Sequence, residues 1–125
     1  MSLGELLAQS ARFLDGDHSA APAAPLCAAL LAREALEQAI VAWAGRKHGL
    51  VLKGVSGRTK LTVLEAYLGD APLSAQARFA WNTLSTATHH SWVGAARGPG
   101  EVRDLAVQVQ DVIRGLVLDA QPTPP

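Results

Sequence analysis

Residues 101–118 read EVRDLAVQVQDVIRGLVL. Val102, Leu105, Val109, Val112, Ile113 and Leu116 recur at steps of three and four, and the positions between them carry most of the charged and polar residues. At about 100° per residue that spacing gathers the apolar side chains on one stripe of a helix. Such a stripe has to be buried against a neighbour, and the rest of the chain offers helices as neighbours. A glycine-rich loop, Ser91–Gly100, precedes this helix. Before the loop a helix is predicted from about Leu73 to Thr88, with Ala77, Ala80, Trp81 and Leu84 on its apolar side.

Further upstream, a short helix is predicted from about Thr59 to Leu68, with Leu61, Leu64 and Leu68 together and Gly69 as its stop. Gly49–Arg58 reads as a loop broken by Gly49, Gly54 and Gly57. The longest helix runs from about Pro25 to Lys47 and is made mainly of good helix formers. Leu26, Leu30, Leu36, Ile40 and Trp43 are placed on its inward face, with Arg33, Glu34 and Glu37 pointing elsewhere. Its many alanines let a neighbour approach closely. The chain opens on Ser2-Leu3-Gly4-Glu5, a capping-box pattern, followed by Leu3, Leu6, Leu7 and Leu14 at helical spacing and a stop near Asp15-Gly16-Asp17. No run alternates as a strand would. The expectation is therefore an all-α fold, a compact antiparallel bundle of four to five helices. One domain spans residues 1–120, and residues 121–125 form a flexible tail.

Composition narrows the classes. The chain has 125 residues, 49% hydrophobic and 18% charged, which is a globular balance. Eleven basic residues offset eleven acidic ones, so net charge does not indicate RNA and supplies no general attraction to anionic membranes. The single cysteine, Cys27, forms no internal disulfide and reads as a small core residue. Met1–Asp15 carries Glu5, Gln9 and Arg12 where a signal peptide is apolar. The apolar stretch Leu26–Ala44 is interrupted by Arg33, Glu34, Glu37 and Gln38, so no membrane span is expected and a cytoplasmic location is the default.

Two places hold candidate chemistry. Arg78, Asn82, Ser85 and His89 are spaced by four, three and four residues and so line one edge of a helix. His90 follows; Trp43, Trp81 and Trp92 read as core anchors, with Trp92, beside His90, the one placed to line a pocket. The second place is Arg46–Lys60, which contains Arg46, Lys47, Lys53, Arg58 and Lys60 and no acid. Lys53, Arg58 and Lys60 make it a candidate anion-binding loop for RNA, a nucleotide or an acidic protein partner. It is not a P-loop, because Gly54 is followed by Val55 where that motif has lysine. Histidines 18, 48, 89 and 90 include an adjacent pair but no carboxylate or cysteine at ligand spacing, so neither a metal nor another cofactor is assigned.

The run Trp81-Asn82-Thr83-Leu84-Ser85-Thr86-Ala87-Thr88-His89-His90 resembles the closing segment of the key helix in HEPN-type domains. The layout is similar too, with a long early helix containing Arg33-Glu34-Ala35-Leu36-Glu37, the histidine-terminated helix, and a final amphipathic one. The resemblance covers Leu26–Leu118 in outline and about ten residues in motif. It implies a helical bundle that dimerises, in a family where many members are metal-independent ribonucleases of defence or toxin systems. By implication His89 would move a proton at a ribose 2′-hydroxyl, and an arginine four to six residues earlier would steady the phosphate. This chain departs from that spacing. Arg78 stands eleven residues before His89, about 16 Å along the helix axis. The first expectation is thus a homodimeric binding or regulatory module. The rival is a ribonuclease using His89 with Asn82, Ser85 and either Arg97 or a cation from a partner chain. A structural subunit of a larger assembly is the third reading.

Overall fold

The computed structural model describes residues 2–15, 24–89 and 99–122, with side chains placed over 2–12, 27–86 and 100–122. Among the described residues five helices pack together and there is no strand: α1 (Leu3–Asp15), α2 (Ala24–His48), α3 (Gly57–Tyr67), α4 (Ala71–His89) and α5 (Pro99–Asp119). No helix of the described residues is long and apolar enough to cross a membrane.

Local chemistry sets the helix ends. The Ser2 hydroxyl accepts the Glu5 amide at 3.1 Å, the first half of the predicted capping box. Gly49, at φ +65°, turns the backbone at the end of α2 so that the Leu50 N–H reaches back to the Ala44 carbonyl at 3.1 Å. α3 begins at Gly57, two residues before the predicted Thr59, because Ser56 caps it by accepting the Thr59 amide at 3.1 Å. Likewise α4 begins at Ala71 and not near Leu73: the Asp70 carboxylate accepts the Leu73 amide at 3.0 Å. Pro99 opens α5, inside the stretch predicted to be loop, where a missing N–H costs nothing.

α2 is the centre of the fold. It packs against α1, α3, α4 and α5, and its buried residues, Ala28, Ala32, Leu36, Ile40, Trp43 and Ala44 among them, fill one half of the helix. The alanines keep neighbouring backbones close. The buried Ser10 hydroxyl of α1 donates to the Ala28 carbonyl at 3.0 Å, a polar tie across that seam. All six residues of the α5 stripe are buried, as are Leu61, Leu64 and Leu68 from the α3 region and Ala77, Ala80 and Leu84 of α4. Removing one such leucine to alanine costs about 2–5 kcal/mol. α4 and α5 meet closely at Gly115, where an added Cβ would lie 2.7 Å from Leu73 Cδ2.

Two expectations for α2 are corrected. Leu30 is 41% exposed, because the fully buried face here is built from Ala28, Ala29, Ala32 and Ala35 and Leu30 lies off it. Glu37, expected to point away from the core, is drawn inward by three partners from three helices.

Candidate functional site

The α4 stripe straddles the edge of the bundle. Ser85 is 8% exposed, Arg78 is half-buried and Asn82 is exposed, so the residues do not share one solvated edge. The cause is packing: α2, α3 and α5 all lie against α4, and together they cover a wider arc than its apolar residues alone suggest. Arg78 is engaged by α3, its Nε donating to Glu65 Oε1 at 2.6 Å. That hydrogen bond, against a smaller opposing effect of burial and with the help of the guanidinium charge, holds the Glu65 carboxyl below its ordinary range. His89 is the last residue of α4, and its side chain lies outside the described residues. His90, Trp92 and Arg97 also lie outside them.

The basic segment divides into paired and unpaired charges. Lys60, in the first turn of α3, points inward with its side chain 13% exposed, and its ammonium donates to Glu37 Oε1 at 3.1 Å. Lys47 donates to Asp119 Oδ2 at 2.8 Å. Arg46, Lys53 and Arg58 are exposed and form no ion pair among the described residues.

Glu37 organises the first of these contacts. Besides Lys60 it accepts the Trp81 indole N–H on Oε2 at 3.2 Å, and Arg33 Nε lies 3.7 Å from the same oxygen. A carboxylate that is 14% exposed needs such compensation, because an unpaired buried charge is expensive. Gly57 makes the convergence possible: a Cβ there would lie 2.7 Å from Trp81 Cζ2 and 3.0 Å from Glu37 Oε2. One network therefore joins α2, α3 and α4. Nothing in the linear sequence marks it, beyond a glycine directly after a capping serine.

Beside the network lies an open groove of about 480 Å³. Its α2 wall is Glu34, Gln38, Val41 and Ala42, and the opposite wall is Lys53, Gly54 and Lys60. Gly54, at φ +88°, supplies the turn that carries Lys53 to the rim. The groove brings Lys53 and Lys60 together as the sequence suggested, while Arg58 is not among its lining residues.

A second network closes the far end of α2. Asp119 Oδ2 accepts from both Trp43 Nε1 and Lys47 Nζ at 2.8 Å. Burial pushes the Asp119 carboxyl upward, but these hydrogen bonds and the charges of Lys47 and His48 outweigh it and leave the group below its ordinary range. The His48 ring lies 5.1 Å from both Trp43 and Tyr67, and its Nε2 is buried with no hydrogen-bond partner. Among the described residues no group of three or more histidines, cysteines or carboxylates is arranged to hold a metal, and Cys27 is half-buried. No family model, curated protein or solved structure matches the chain.

Proposed function

We propose that the chain is a small HEPN-like binding or regulatory module that works as a homodimer in a bacterial defence or toxin–antitoxin setting. The family likeness and the setting rest on the Trp81–His90 run and the order of helices. The observation that carries binding over catalysis is the Arg78–Glu65 pair, 2.6 Å between Nε and Oε1. Phosphodiester cleavage needs a guanidinium free to meet the phosphate beside the histidine. Arg78 spends its Nε on a carboxylate of α3 and stands about 16 Å of helix rise from His89.

The outer face of α5 supports the second copy. Val107, Asp111, Arg114 and Leu118 are exposed and spaced four, three and four residues apart, so they form one stripe. Turned on itself about a two-fold axis between residues 112 and 113, the stripe sets Val107 against Leu118 of the other copy. The same rotation sets Asp111 against Arg114, and such self-complementarity is what an isologous contact requires. Asp111 and Arg114 already attract each other within one chain, at 3.5 Å.

The test has two readouts on the full chain. A labelled mixed-sequence RNA is incubated with the wild type and with His89→Ala in the presence of EDTA, and no cleavage is expected from either. Cleavage lost in His89→Ala would replace this reading with the ribonuclease. Sedimentation equilibrium is expected to show a dimer, weakened about tenfold by Arg114→Asp and recovered by Asp111→Arg/Arg114→Asp. A monomer at every concentration removes the homodimer.

A further inference from the structure

We propose that the groove between α2 and the Lys53–Gly54 turn is a binding site for a nucleoside monophosphate whose base carries an amino group. The inference stands apart from the α5 contact and from the state of Arg78.

The two walls ask for different chemistry. On one side Lys60 is held in place by Glu37 at 3.1 Å, which uses one of its three ammonium donors and leaves two for a ligand. Lys53 stands on the same wall with no ion pair among the described residues. Two ammonium groups suit a dianionic phosphate. On the α2 wall Glu34 is exposed and forms no ion pair among the described residues, so it presents a carboxylate that accepts hydrogen bonds. It repels a second anion and favours an amino donor. Gln38 lines the same wall one turn further along. On the same helix Val41 and Ala42 give the groove an apolar surface for a flat ring.

Charge and size then select the ligand. A polyanionic strand or a run of acidic side chains would place further negative charge against Glu34. A free amino acid satisfies both ends but fills little of about 480 Å³, a volume within the range of small-molecule sites. A nucleoside monophosphate has a doubly charged phosphate at one end and, across a ribose, a flat base whose edge carries the amino donor.

Calorimetric titration of the full chain with AMP, CMP, GMP, UMP, adenosine and inorganic phosphate tests this. AMP, CMP or GMP is expected to bind at least about tenfold more tightly than either phosphate or adenosine alone. Lys53→Glu should abolish that binding, and its exposed, unpaired position means the fold should be unaffected, which the circular dichroism spectrum checks. Glu34→Gln should narrow the preference for amino-bearing bases over UMP. The proposal is overturned if none of the monophosphates binds at millimolar concentration. It is equally overturned if inorganic phosphate binds as well as AMP, if Lys53→Glu leaves affinity unchanged, or if a short RNA binds the groove more tightly than any monomer.

Discussion

Gly57→Ala should be strongly destabilising, although glycine in a helix is usually a weak point. Alanine narrows the unfolded ensemble and on that ground alone stabilises by about 0.4–1 kcal/mol. Its Cβ, however, would lie 2.7 Å from Trp81 Cζ2, 2.9 Å from Trp81 Nε1 and 3.0 Å from Glu37 Oε2. Neither neighbour is free to retreat. The indole donates to Glu37, and Glu37 is anchored in turn by Lys60. Overpacking of this kind costs about 1–3 kcal/mol, and weakening a hydrogen bond to a charged group adds up to about 1.5–3 kcal/mol. The net loss expected is about 2–4 kcal/mol, or a Tm lower by about 8–16 °C for a chain of this length. Urea denaturation followed by circular dichroism measures it. Gly45→Ala is the control, since its Cβ would meet nothing closer than the Leu50 carbonyl at 3.8 Å, and a gain of up to about 1 kcal/mol is expected there. In a Trp81→Phe background the outer indole ring and its N–H are gone, so the cost of Gly57→Ala should fall by more than half. A Gly57→Ala protein as stable as wild type, or the same cost in both backgrounds, would refute the clamp.

Three other outcomes are expected. Because the folded-state pKa of Asp119 is depressed, its stabilisation is present above the unfolded value near ~3.9 and is lost as pH falls through the folded value. Asp119→Asn should therefore cost about 1–2 kcal/mol at neutral pH, with the gap to wild type closing in acid; a gap unchanged down to about pH 2 in a denaturation series would contradict this. His48→Phe keeps the ring contacts with Trp43 and Tyr67 and removes a buried nitrogen that has no partner, so stability should hold or rise by up to about 1 kcal/mol. His48→Ala should lose stability, and equal losses in the two variants would mean that the nitrogen is bonded. Gly115→Ala should be nearly neutral, within about 0.5 kcal/mol, because the crowded atoms are the far end of a leucine side chain that can shift, in contrast to Gly57; a loss like that of Gly57→Ala in the same melts would show that α4 and α5 cannot give.

How much the sequence discloses follows from where each partner lies. The α5 stripe was legible in full, because a helix that buries one face records that face as a period. The apolar sides of α3 and α4 were legible for the same reason, as was the glycine that ends α2. The starts of α3 and α4 were not placed correctly. Gly57 resembles a breaker and Asp70 a loop residue until the capping bonds of Ser56 and Asp70 are seen. Leu30 was misplaced because the buried half of α2 is built largely of alanines, so its large apolar residues do not mark the inward face, and Glu37 because its partners Lys60 and Trp81 come from other helices. In the candidate site, the common segment of Lys53 and Lys60 was legible, but the groove they line with Glu34 and Gln38 of α2 was not. The Glu37 network was not, since Arg33, Lys60 and Trp81 meet it from separations of 4, 23 and 44 residues. Ser85 shares a helical edge with Arg78 by spacing, yet the neighbouring helices decide which of the two meets water.

The central position of α2 also shapes how the molecule breathes. A helix at the rim can detach and reclose while the remainder stays folded, which lets its amide protons exchange through small local openings. The middle of α2 has no such route, since α2 packs against all four other helices and its residues from Ala35 to Ala44 include six of the buried core. Deuterium should reach those amides only when the whole domain opens, so their exchange rate reports global stability, while α1 and α3 report the cheaper excursions at the edge.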